Sequence, residues 1–172
     1  AVNGEFKKLW TECYEEVAYF NDVTEKFPVD TLVDCGAFNG DDIHDFIKLF
    51  PDYRKIYAIE PDQNNIAKLE KRIKEEKIQR ISVIPKGVYQ KSTTLSCSSQ
   101  KGVASHIDEH GEESVSVVAI DEVLQEHKDN ILIKMDIEGS EMDALIGAAK
   151  TIEQKHPCLT ICVYHKEDDL IK

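Results

Sequence analysis

Short apolar runs alternate along this sequence with segments of helical periodicity, and that alternation restricts the fold more than any other feature. Residues 31–35, 55–60, 81–88, 115–120, 131–137 and 159–163 are largely apolar on both faces, so strands made from them must be covered on both sides. Between them, Ile43, Phe46, Ile47 and Phe50 recur at helical spacing, as do Ile66, Leu69 and Ile73, and again Met142, Leu145, Ile146 and Ala149. Ser140 with Asp143 reads as a capping-box-like start for the last of these helices. Helices with one apolar stripe and strands with two apolar faces combine into a mostly parallel sheet with helices on both faces. The expected fold is an open α/β sandwich.

Ahead of the first strand, Phe6, Leu9, Trp10, Cys13, Val17 and Phe20 predict an amphipathic helix up to about Asn21. Residues 1–30 thus form a helix and lead-in, and 31–172 the main body of a single domain. Residues 93–97 and 103–107 read as short strands of a polar excursion around Gly102. Lys68, Glu70, Lys71, Arg72, Lys74, Glu75, Glu76 and Lys77 mix both signs, which makes them a solvated helix face rather than a basic patch. The chain begins at Ala1 rather than Met, as a processed, trimmed or partial chain does.

The 172 residues suffice for one hydrophobic core without a disulfide or metal staple. A net charge of −12 repels polyphosphate and anionic lipid, so neither nucleic acid nor a membrane surface is an expected partner. No apolar run approaches the ~20 residues of a membrane span, and no signal peptide is visible, so the expected location is cytoplasmic. The five cysteines are odd in number and form no CxxC. Cys158 and Cys162 share a face of one expected strand but stand roughly 13 Å apart on it, so reduced thiols are expected.

In parallel α/β sheets, ligands bind beyond the carboxyl ends of the strands, and the residues there are informative. The first strand runs into V-D-C-G-A-F-N-G, with Asp34, Gly36, Asn39 and Gly40. Glycines let the chain turn sharply into a helix and let a ligand approach the backbone. The second strand ends in I-E-P-D, with Glu60 standing 24 residues after Gly36 and followed by Pro61 and Asp62. A carboxylate at that place can accept both hydroxyls of a ribose. Asp34 beside the turn, and the absence of G-x-G-x-x-G, disfavour a diphosphate cofactor on Coulombic grounds. The same charge suits S-adenosylmethionine, which carries an ammonium and a sulfonium. Asp136 ends another strand at the ligand edge, with Glu138 and Glu141 after it, in a spacing that diagnoses no metal site, so none is expected. Tyr164 and His165 emerge from the last strand, where His165 is a candidate general base.

The segments VDCGAFNGDD, YAIEPDQNN, VSVVAIDEVL, IKMDIEGSEMDALIGAAKTI and ICVYHKEDDL together resemble the FkbM family of S-adenosylmethionine-dependent methyltransferases. The resemblance spans most of residues 31–170 and is carried most specifically by I-K-M-D-I-E-G-S-E with the preceding V-A-I-D-E-V-L. It implies a Rossmann-like methyltransferase sandwich and, in many members, methylation of hydroxyls on sugars, antibiotics or other secondary metabolites. By that likeness Asp34, Gly36, Ala37, Asn39 and Gly40 hold the methionine portion, Glu60 the ribose, Pro61 and Asp62 beside it also bind the cofactor, and Gly87 and Val88 lie near the adenine. Cys35 stands where a hydrophobe is more usual, and the chain stops at Lys172, where the family fold ordinarily continues. The expected sheet is therefore short of its C-terminal strands.

The resulting expectation is S-adenosylmethionine-dependent methylation of a small-molecule or sugar hydroxyl. Asp34 and Glu60 fix the donor, Asp136 borders the transfer site, and His165 is the base. The rivals are a nicotinamide-dependent oxidoreductase on a similar sheet and a non-catalytic nucleoside-binding domain.

Overall fold

The structure is a computed structural model that describes residues 19–20, 27–97, 113–125 and 130–165. The helix expected over 6–21 lies outside these residues except for Tyr19 and Phe20, and the strand expected at 103–107 lies outside them entirely.

In chain order the elements are β1 (Thr31–Cys35), α1 (Asp41–Leu49), β2 (Lys55–Ile59), α2 (Gln63–Glu75), β3 (Ile81–Ile84), β4 (Gly87–Val88) and β5 (Thr93–Cys97). They are followed by β6 (Glu113–Val118), α3 (Ile120–Val123), β7 (Ile131–Met135), α4 (Glu141–Gly147), α5 (Ala149–Lys155) and β8 (Cys158–Ile161). Five strands form a wholly parallel sheet in the order β3-β2-β1-β7-β8. The chain steps outward from β1 to β3 and then returns to build β7 and β8 on the other side. That reversal opens a crevice beyond the carboxyl ends of β1 and β7.

Strand periodicity divides the core between the two faces. Leu32, Ile56 and Leu132 pack with Ile43 and Phe46 of α1, Leu69 of α2, and Phe20. Val33, Cys35, Ile133 and Met135 pack on the opposite side with Ile120, Leu124, Ala144 and Ala148. Both faces are dry because both are covered by helices, as the apolar strands require.

The expected strand over 81–88 is two strands in two sheets. Pro85 has no N–H to donate, so the ladder with β2 ends at Ile84. Gly87 and Val88 pair instead with Val117 and Val118 in a three-stranded sheet of order β4-β6-β5. The helix expected from Ser140 is likewise two, α4 and α5, meeting at Ala148. Ser140 makes no side-chain cap; Glu141 instead ties down the loop before the helix, its Oε1 accepting the N–H groups of Ile137 (3.0 Å) and Gly139 (3.2 Å). The buried row of α4 is Glu141, Ala144 and Gly147, while Met142 and Ile146, expected on the apolar face, are exposed. The last strand ends at Ile161, so Cys162 follows β8 rather than sharing it with Cys158. Cys35, Cys158 and Cys162 are free thiols. Among the described residues, no helix is long and apolar enough to cross a membrane.

Candidate active site

The loop after β1 is built from left-handed backbone. Gly36 has φ +81°, and a Cβ there would overlap the carbonyl oxygen of Asp136 on the loop after β7. Only glycine lets the two strand ends approach so closely. The N–H groups of Gly36 and Ala37 both donate to the Ile59 carbonyl, at 3.0 and 3.1 Å, which ties the loop to the end of β2. Gly40, at φ +84°, begins α1, and its N–H donates to the Ala37 carbonyl at 2.8 Å.

Glu60 follows β2 and is buried. Its Oε2 accepts the Phe38 N–H at 2.9 Å, and its Oε1 accepts the Asp62 N–H at 2.9 Å and the Asn65 amide at 3.4 Å. One carboxylate thereby locks the two loops together, and its oxygens keep further lone-pair capacity for a ligand. Asp62 is the N-cap of α2, accepting the N–H groups of Asn64 and Asn65.

A cavity of about 850 Å³ opens between these loops, at the upper end of the size range for small-molecule sites. Of the residues expected to bind cofactor, Gly36, Ala37, Asn39, Glu60, Pro61, Asp62, Gly87 and Val88 line it, and so does Asp136. Gly87 and Val88 reach it from β4 of the second sheet rather than from the end of β3.

Three expected residues stand elsewhere. Gly40 shapes the start of α1 without lining the wall. Asp34 is wholly buried and paired across the sheet with Lys134, whose Nζ lies 3.2 Å from Asp34 Oδ1, 2.7 Å from Asp42 Oδ2 and 3.2 Å from the Gly36 carbonyl. Its charge is therefore paired inside the protein, and Asp34 does not line the cavity. Burial pushes the Asp34 carboxyl up to about 6, against the opposing pull of Lys134 and with smaller contributions from Asp42 and Glu60. Burial disfavours the Lys134 ammonium, but Asp34 and Asp42 outweigh it and hold Lys134 above the ordinary lysine value. The third is His165, which sits behind the wall, with Nε2 3.3 Å from Asp136 Oδ1 and 3.6 Å from Glu138, and Nδ1 3.0 Å from Glu141.

Asp136 is the hub of the far wall. The Tyr19 hydroxyl donates to its Oδ2 at 2.9 Å and lies 3.3 Å from Cys162 Sγ, while the Tyr164 hydroxyl is 3.4 Å from Oδ1. Burial foremost, with Cys162 and Asp136 adding to it, raises the Tyr19 phenol far above its usual range and keeps it a donor. The Lys134 ammonium stands 5.3 Å from the centre of the Tyr19 ring. Tyr19 and Lys134 were not expected from the sequence. The signal for Lys134 is a charge in the middle of an otherwise apolar strand, I-L-I-K-M. Tyr19 gives none, because its contact with Asp136 spans 117 residues.

A parallel sheet of this order, with its cavity at the point of strand reversal, defines a Rossmann-like methyltransferase fold. The family described as "Methyltransferase FkbM domain" matches residues 34–170, and the chain belongs to that family. A solved structure of methyltransferase FkbM from Methylobacillus flagellatus KT is similar at 28% identity and a TM-score of 0.67, over 83% of this chain and 35% of that one. The chain thus spans about a third of that protein's length. An rRNA methylase from Streptococcus thermophilus shares the fold at 14% identity and a TM-score of 0.53, over 91% of this chain and 76% of its own. A precorrin-6y C5,15-methyltransferase from Geobacter metallireducens GS-15 does so at 12% and 0.50, over 86% and 62%. No curated protein matches the chain in sequence.

Proposed function

We propose that this methyltransferase domain takes S-adenosylmethionine as donor and methylates a hydroxyl of a small-molecule or sugar acceptor. The observation that carries the donor is the buried Glu60 at the cavity wall, one hydrogen bond from the glycine loop and positioned for a ribose diol. The cavity volume suits a nucleoside-sized ligand with room for a small acceptor. When bound, the donor supplies a methyl group on a sulfonium.

Methyl transfer is an in-line displacement, so the chain's task is to position and to place charge. Glu60 holds the ribose and the Gly36 loop gives close backbone approach. Asp136 is the carboxylate that faces the cavity beside Tyr19, and it orients the acceptor hydroxyl and receives its proton. His165, 3.3 Å behind Asp136, acts as a positioning residue rather than touching the acceptor. The net charge of −12 disfavours nucleic acid and anionic lipid as acceptors, and the free thiols of Cys35, Cys158 and Cys162 are compatible with a cytoplasmic setting.

Calorimetric titration with S-adenosylmethionine, S-adenosylhomocysteine and NAD tests the donor. Binding of the first two without the third is expected; binding of NAD alone would return the oxidoreductase reading. Incubation with donor and small-molecule extracts, with mass detection of methylated products, tests the acceptor class. Donor binding with no product from any hydroxyl compound would favour a non-catalytic nucleoside-binding domain.

A further inference from the structure

Phe38 is held in an unusual state at the mouth of the cavity. Its backbone lies at φ +46°, the left-handed region, where a bulky side chain costs roughly 1–3 kcal/mol. The residue is 51% exposed and lines the cavity. The ring belongs to neither hydrophobic core cluster, whereas the neighbouring Ala37 and Ile43 do. Strain and exposure together are two costs without a packing return. The position is nonetheless fixed, because the Phe38 N–H donates to the buried Glu60 at 2.9 Å. The Lys68 ammonium stands 5.3 Å from the ring centre and also lines the cavity, so one side of the ring has a cation beside it.

We propose that the Phe38 ring is a recognition surface for the nucleoside of the cofactor, presented by the strained loop and packing against the sugar or base held at Glu60. The inference rests on the donor reading above. Glu60 Oε2 is 2.9 Å from the Phe38 backbone N and both residues line the cavity, so a ribose bonded to Glu60 would lie beside the residue that carries the ring. The flat aromatic face suits a nucleoside and offers nothing to a diphosphate. Contact with the ligand covers the exposed ring, which recovers apolar surface that the free protein leaves in water.

Three substitutions separate the ring from the backbone. Phe38→Gly and Phe38→Asn both tolerate the left-handed conformation and both remove the ring; Phe38→Tyr keeps it. Each variant is titrated with S-adenosylhomocysteine and melted thermally. Expected are melting temperatures at or above wild type for the glycine and asparagine variants, with affinity lowered roughly tenfold in both, and near wild-type affinity for tyrosine. Wild-type affinity in Phe38→Gly or Phe38→Asn would overturn the proposal, as would losses of stability that parallel the losses of binding. Failure of the wild-type protein to bind S-adenosylhomocysteine would instead overturn the donor reading on which it stands.

Discussion

Asp34 shows how far a single residue can be understood before its neighbours are known. Its place at the end of β1 is legible from V-D-C-G, but its role is set by Lys134, which reaches it only because β1 and β7 pair in register. A carboxylate next to a glycine turn reads as ligand-facing; the cross-strand ammonium makes it a buried structural charge instead. The pH dependence follows from the raised value of about 6. An unfolded aspartate titrates near ~3.9, so the folded state binds the proton more tightly. The stability this contributes is present below pH ~4 and is lost as pH rises through about 6. Asp34→Asn cannot titrate and leaves Lys134 with Asp42. Urea unfolding should therefore show the variant gaining on wild type by roughly 1–3 kcal/mol between pH 4 and 7, with no further change above that. Parallel curves would mean that Asp34 is not perturbed. Glu60, by contrast, was legible in both place and exposure to the cavity. Glu60→Gln turns one acceptor oxygen into a donor facing backbone N–H groups. Calorimetry should find S-adenosylhomocysteine binding weakened by about 1.5–3 kcal/mol, and unchanged affinity would remove Glu60 from the ribose site.

At the scale of elements, the five parallel strands and the helices between them were legible because apolar periodicity reports burial directly. What periodicity misses is which sheet a short strand joins and where a helix breaks. Pro85 was visible in the sequence, yet its consequence, the transfer of Gly87–Val88 to a second sheet, depends on β6 being alongside. The rotated face of α4 has a similar origin. Gly147 packs so closely on the loop after β4 that a Cβ would overlap the Tyr89 carbonyl oxygen. This contact turns Glu141, Ala144 and Gly147 inward and leaves Met142 and Ile146 outside. Gly→Ala within a helix ordinarily adds about 0.5–1 kcal/mol of stability. Gly147→Ala should do the opposite and lower stability by about 1–3 kcal/mol, because backbone must move to admit the methyl group. A thermal melt in which Gly147→Ala is as stable as wild type would show that the approach of α4 to Tyr89 is loose.

Charge at the scale of the whole molecule changes what the net −12 implies. Selectivity for a cationic donor was expected from Asp34 alone, but Asp34 is screened by Lys134, so any such selectivity belongs to the cavity as a whole. Its walls carry Asp41, Asp42, Glu60, Asp62, Asp136 and Glu138 against Lys68, Lys86 and Lys134. The excess is negative, and it is spread over both the nucleoside side and the far wall. S-adenosylmethionine and S-adenosylhomocysteine share every group except the methyl group and the positive charge on sulfur that comes with it. Both should lose little contact energy when salt is added, but only the first carries the extra charge that the carboxylates attract. Raising ionic strength from about 0.02 M to about 0.5 M shortens the Debye length from roughly 20 Å to about 4 Å, within the span of the cavity. The affinity for S-adenosylmethionine should then fall several-fold more than that for S-adenosylhomocysteine, in paired titrations at fixed pH. Asp34→Asn should leave this difference largely intact, since its charge is already balanced within the sheet. If both ligands respond to salt equally, the acidic walls do not act on the sulfonium, and donor recognition rests on shape and hydrogen bonds alone.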